Sequence, residues 1–182
     1  DGSDKLYWKI YDATNTNYIQ IIQSTAAVYA EDVWQHVCCT WDGTVADGDG
    51  LKMYITTAGG VTYDYTSSNA TCSITGTMNS VGDTSGKLLF GNYAMSTAGI
   101  DGNIADISYW NDELSEAQVE LIANRGTPNN IHCLYDSVDL DKLVGYWRAM
   151  LGGTNYTSVY GYLNRNGTVI SGVSGSWSTD IP

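Results

Sequence analysis

The chain has 182 residues, a length that suits one domain burying roughly 70% of the surface its unfolded form exposes. Its 8 Lys and Arg against 20 Asp and Glu leave a formal charge of −12, which repels phosphate backbones and anionic lipid and argues against nucleic acid as a direct partner. No apolar run reaches the roughly 18 to 20 residues of a membrane span, and the opening DGSDK is not a signal peptide, so any export signal is expected upstream.

Abundant Gly, Ser, Thr and Asn with only 2 Pro favour strands joined by turns, because short polar side chains compete with helical hydrogen bonds. The expectation is an all-β fold. The 14 Tyr and 6 Trp against 1 Phe mean that most large rings carry a polar tip, which suits strand surfaces and contact surfaces.

Leu6 to Tyr11 (LYWKIY) and Tyr18 to Ile22 (YIQII) are rich in aromatic and β-branched residues and flank the turn cluster DATNTN, a hairpin with a loop longer than the tightest type. Trp34 to Asp42 (WQHVCCTWD) is a strong strand with Val37, Cys39 and Trp41 on one face and His36, Cys38 and Thr40 on the other. After the acidic turn Val45 to Gly50, the alternation of Leu51, Met53 and Ile55 with Lys52 and Tyr54 predicts a half-buried strand. Gly59-Gly60 is a hairpin turn, with Val61 to Tyr65 pairing back from it.

Thr66 to Gly86 reads as loop with short edge strands near Cys72 and Ile74, and Lys87 to Asn92 (KLLFGN) as a strand buried on both faces. In Asn103 to Trp110, Ile104 and Ile107 stand three apart, so either a bulge re-aims the strand near Asp106 or both faces are covered. Beyond the Asn111-Asp112 turn, Ser115 fits a helix N-cap, Gln118 completes a capping box, and Leu114 with Val119 forms a hydrophobic staple. The helix should run from about Glu116 to Asn124, turn Val119, Ile122 and Ala123 toward a sheet, and stop at Gly126 before Pro128. Leu140 and Leu143 to Met150 (LVGYWRAM) read as a further strand, and the Tyr-, Ser- and Gly-rich tail from Thr154 is expected to drape over the domain or a neighbour.

The runs WQHVCCTWDGT (Trp34 to Thr44), LKMYI (Leu51 to Ile55), LLFGN (Leu88 to Asn92) and GIDGNIADISYWNDELSEAQVELIANRG (Gly99 to Gly126) together resemble the concanavalin A-like jelly roll of the laminin G-like type. The resemblance implies a two-sheet antiparallel jelly-roll sandwich over residues 1–135 with one short helix near residues 116–124, and a C-terminal strand and tail over 136–182. LVGYWRAM, NRNGT (Asn164 to Thr168) and the closing WSTDIP are similar to extensions of this domain in structural proteins of tailed phages and marine viruses. Such domains usually begin with two or three strands before the segment matching Leu6 to Tyr11. The expectation is that a neighbouring segment or chain covers the edge left without them.

Glycosidases on this superfold need paired carboxylates on one strand face, and no strand here carries such alternating acids. Glu113, Glu116 and Glu120 belong to the helix region, where acids near the start answer the helix dipole. The expectation is therefore a protein that is not an enzyme. Asp42, Asp47 and Asp49 form a candidate calcium rim, weighed against Asp-Gly pairs simply making turns. His36, Cys38, Cys39, Cys72, His132 and Cys133 supply zinc ligand types without zinc spacing, and the cysteines fit either one disulfide or four thiols. The sequons at Asn69, Asn155 and Asn166 are as many as this composition gives by accident.

Asn92, Tyr93, Asp101, Trp110 and Asn111 gather the aromatic and amide side chains that sugars or receptors use, and are the candidate ligand residues. With the viral resemblance, the function expected is a non-enzymatic structural, decorating or adhesive protein on a virion surface. Its partners would be copies of itself, other virion proteins and host or surface glycans. The alternative is a carbohydrate-binding module of a secreted or cell-surface microbial protein.

Overall fold

The computed structural model describes residues 6–12, 16–22, 32–44, 46, 48–66, 70–78, 81, 106–126, 131–134 and 137–147. Among them the protein is mostly β, with three small antiparallel sheets and one α-helix. The described residues divide into two compact units, one drawn from those of 6–81 and 112–138, the other from 106–111 and 139–147.

The first unit holds two three-stranded sheets. β1 (Tyr7–Tyr11) and β2 (Tyr18–Ile22) form the expected hairpin, from Tyr11↔Tyr18 to Tyr7↔Ile22. Asp12 closes its loop: the Asp12 N–H donates to the Asn17 carbonyl at 2.9 Å, and the Asn17 side-chain amide donates to the buried Asp12 carboxylate at 2.7 Å. β6 (Thr71–Thr75), the edge strand expected near Cys72 and Ile74, pairs with the other side of β2.

In the second sheet β4 (Leu51–Thr56) is central, between β3 (His36–Trp41) and β5 (Thr62–Tyr65). Gly59 and Gly60 turn β4 into β5, with the Gly60 N–H donating to the Thr57 carbonyl at 2.8 Å and the Thr57 N–H to that of Val61 at 3.0 Å. Ile19 and Ile21 of β2 join Leu51, Met53 and Ile55 of β4, Tyr65 of β5 and Met78 in one buried cluster, flanked by Trp8, Ile10, Cys39 and Trp41. The apolar alternation of each strand thus fills a core shared by both sheets.

The alternation in Leu51 to Thr56 predicts a strand with one solvated face, but Tyr54 and Thr56 are buried as well. The helix α1 (Glu116–Ala123) packs near β4, and its buried residues are the expected Val119, Ile122 and Ala123. Its start matches the sequence: Ser115 is the N-cap, the Gln118 N–H donates to Ser115 Oγ at 3.4 Å, and the Ser115 N–H donates to Gln118 Oε1 at 2.9 Å. Leu114 and Val119, the expected staple, are both buried.

Its C-terminal cap differs. α1 ends at Ala123, one residue from the expected Asn124, but the left-handed residues are Asn124 (φ 41°) and Arg125 (φ 58°), two and one positions ahead of the expected stop at Gly126, and the Asn124 N–H caps the Glu120 carbonyl. Asn tolerates this backbone region through its short polar side chain.

In the second unit β7 (Ile107–Trp110) pairs antiparallel with β8 (Leu143–Trp147). The register steps from Tyr109↔Gly145 to Trp110↔Leu143, which makes Val144 the extra residue of a bulge. The irregularity therefore lies at the far end of β7 from Asp106, where the backbone is left-handed (φ 51°) and the carboxylate accepts a hydrogen bond from the Tyr146 hydroxyl at 3.3 Å. Leu140 belongs to a 3-10 turn, Leu140–Lys142, rather than to the strand. The Lys87 to Asn92 strand, Ile104 and the chain from residue 148 onward lie outside the described residues.

Candidate functional site

A cleft of about 450 Å³, lined mostly by residues with polar or charged tips, lies where the face of β4 and β5 meets the start of α1. Alternation puts Lys52 and Tyr54 on the side of β4 opposite the core, and Tyr54↔Asp64 pairing brings Asp64 of β5 beside them. Glu113, Ser115 and Glu116 close the other wall.

Lys52 Nζ stands 2.7 Å from Glu113 Oε1, with the two side chains 38% and 27% exposed. A pair this wet contributes on the order of 0 to 1 kcal/mol. Its chemical effect is clearer: the hydrogen bond to Glu113 raises the Lys52 pKa and keeps the ammonium protonated, so it cannot act as a base near neutrality. Burial raises the Tyr54 phenol likewise, and it stays neutral. The Ser115 hydroxyl donates to Gln118 Oε1 at 3.0 Å, so it is engaged in the helix cap. The cleft offers fixed charges of both signs and hydroxyl groups, the equipment of a polar contact surface.

Sequence reasoning missed the pairing of Lys52 with Glu113 because the two stand 61 positions apart. The available signal was the register of Lys52 and Tyr54, which places both on the core-distant face of β4.

In the acidic turn, Asp42 Oδ1 accepts the Thr44 N–H at 2.8 Å. That bond, helped by the Thr44 side chain and by Lys52, holds the Asp42 carboxyl below the usual range. The Asp42 N–H donates to the Gly50 carbonyl at 3.3 Å, and a Cβ at Gly50 would collide with the Asp42 carboxylate, so the turn closes tightly on itself. Asp49 is exposed, and Asp47 lies outside the described residues. Among the described residues no three His, Cys, Asp or Glu side chains gather in a way that could hold a metal ion.

The four cysteines are free thiols, Cys133 exposed and the others half-buried. Burial pushes the Cys38 thiol up to about 12 and raises Cys39 too, the neighbouring Cys38 adding to it, so both are inert at neutral pH. The His132 side chain is outside what is described.

Of the candidate ligand residues, Trp110 ends β7 half-buried, its indole N–H donating to Ser108 Oγ at 3.0 Å. Asn111 follows it, exposed, with its N–H donating to the Lys142 carbonyl at 2.9 Å. These two are adjacent at one end of the β7–β8 pair. Asn92, Tyr93 and Asp101 lie outside the described residues.

Compared with protein families, with curated proteins and with solved structures, the chain matches none. Among the described residues, no helix is long and apolar enough to cross a membrane.

Proposed function

We propose that this chain is a non-enzymatic structural, decorating or adhesive protein of a phage or virus particle, displayed at the particle surface. It works through contacts with copies of itself or other virion proteins and with glycans. The two sheets that share one core are, on this reading, the described part of a laminin G-like jelly-roll sandwich, as the sequence resemblance implies.

One observation carries the proposal. Each strand at a margin of the two sheets exposes one large apolar or aromatic side chain: Tyr7 on β1, Ile74 on β6, Val37 on β3 and Tyr63 on β5, between 37% and 55% exposed. Among the described residues, no further strand is paired outside any of them. Strand margins in solitary proteins are usually blunted by charge or Pro; β1 and β5 do carry Lys9 and Asp64, but β3 and β6 hold no Lys, Arg, Asp, Glu or Pro, so their exposed Val37 and Ile74 suit packing against neighbours. Repetition on a particle would then raise weak single contacts to useful avidity.

The purified chain is expected to associate, seen as a mass above one chain in sedimentation or light scattering, and to sit in contact with neighbours in images of its native assembly. A stable, compact monomer with no affinity for its own copies would overturn this reading. A carbohydrate-binding module of a secreted or cell-surface protein is the second reading, favoured by the cleft beside Tyr54.

A further inference from the structure

The outward face of the first sheet is built differently from the rest of the unit. Alternation sets Tyr7, Lys9 and Tyr11 of β1 beside Tyr18 and Gln20 of β2 and Ser73 of β6, on the side opposite the core-facing Trp8 and Ile10. The register places Lys9 across from Gln20, Tyr11 across from Tyr18, and Gln20 across from Ser73.

These groups hold one another in place. The Tyr11 and Tyr18 rings lie 5.3 Å apart, tilted by 55°. Lys9 Nζ stands 4.6 Å from the centre of the Tyr18 ring and 5.2 Å from that of Tyr7. Gln20 Nε2 donates to Ser73 Oγ at 2.9 Å. Tyr7 remains 55% exposed at the margin of this row.

We propose that this face is a binding platform for a neutral, linear glycan. Sugar rings present C–H faces that pack on aromatic rings and hydroxyl rims that exchange hydrogen bonds, and the row supplies tyrosine rings flanked by an ammonium, an amide and a hydroxyl. Lys9 is clamped by two rings and Gln20 by Ser73, so little side-chain freedom is left to lose on binding. Tyr7 and Tyr11 stand about 13 Å apart along β1, a span for several sugar units rather than one.

Charge selects the class of glycan. None of β1, β2 and β6 contains an Asp or Glu, although the chain has 20, so the three strands themselves bring no carboxylate onto the face that a neutral ligand would have to desolvate. A polyanionic glycan would instead approach against the field of a chain carrying −12. The inference rests on the adhesive part of the function proposed above and names its ligand.

The test is calorimetric titration of the full chain with cellohexaose, mannohexaose and chitohexaose as neutral probes and an alginate hexamer as the acidic one. The same titrations are run on Tyr7→Ala, Lys9→Ala and, as a control in the other unit, Tyr109→Ala. Oligomer mass is measured on the same samples. At least one neutral hexamer should bind, Tyr7→Ala should weaken it about tenfold or more, and Tyr109→Ala should leave it unchanged. Amide-shift changes in the unmodified protein should fall on β1, β2 and β6, a readout that does not depend on any variant folding.

Binding by no neutral hexamer, binding of alginate alone, or shifts confined to other strands overturns the platform. An oligomer that Tyr7→Ala dissociates without a glycan ever binding shows that a second copy occupies the face, and also overturns it. Failure of the platform with an oligomer intact leaves the particle-protein reading standing.

Discussion

His36 begins β3 half-buried, yet its Nδ1 is sealed from solvent and has no hydrogen-bond partner among the described residues. Burial lowers its pKa from 6.5 to about 4, because an imidazolium there would lose its hydration. A depressed folded-state pKa means that the unfolded chain takes up the proton first. The stability contribution is therefore whole above pH 6.5 and drains away as pH falls from 6.5 toward 4. Urea unfolding should show His36→Gln losing less stability over this window than the wild type, by up to about 3 kcal/mol. Identical pH profiles for the two proteins would show that His36 is not the titrating group. The alternation of WQHVCCTWD placed His36, Cys38 and Thr40 on one face correctly, but the enclosure of that face depends on what packs over it, which pattern in a single strand does not encode.

At the scale of elements, what was written locally came through and what depended on distant partners did not. The capping box at Ser115 and Gln118 and the turns at Asn17 and Gly60 are each settled by residues within six positions of one another, and all are present. Replacing Ser115 by Ala should remove the cap and lower stability by about 1 kcal/mol, read as a drop in thermal midpoint. A variant with Thr at this position should recover most of it, whereas an unchanged midpoint in the Ala variant would mean that packing of Leu114 and Val119 alone fixes the helix start. By contrast, LKMYIT reads as half-buried because Lys52 and Tyr54 have polar tips, and only the distant helix segment shows why the second face is covered. The helix ends within one residue of the expected Asn124, and only its cap differs: Gly126 is the better left-handed residue by intrinsic preference, but the chain turns at Asn124 and Arg125.

For the whole molecule, the two-sheet core of the first unit could be anticipated from strand alternation, while the pairing of β7 with β8 across more than thirty positions could not. Of the candidate ligand residues, sequence reading could assemble Trp110 and Asn111 because they are consecutive. The tyrosine row on the outer sheet face escaped it, since that row exists only once the register of β1 against β2 is known. The net charge of −12 makes association of copies an exchange between contact energy and self-repulsion. Raising the salt concentration shortens the range of that repulsion, so the associated fraction in sedimentation runs should grow from low to physiological ionic strength. Association that weakens with salt would point instead to ion pairs holding the copies together.

The end of the helix also bears on how this molecule could be altered. A Cβ built on Gly60 would stand 2.7 Å from Arg125 Cβ, and Gly60 itself has φ 77°. The β4–β5 turn and the helix stop are thus seated against each other, each shaped by an unusual backbone conformation in the partner. The two segments form a single joint: a longer turn or a bulkier residue at Gly60 would be felt at Arg125. An epitope or peptide graft belongs away from this hairpin tip, although its short glycine turn makes it look permissive.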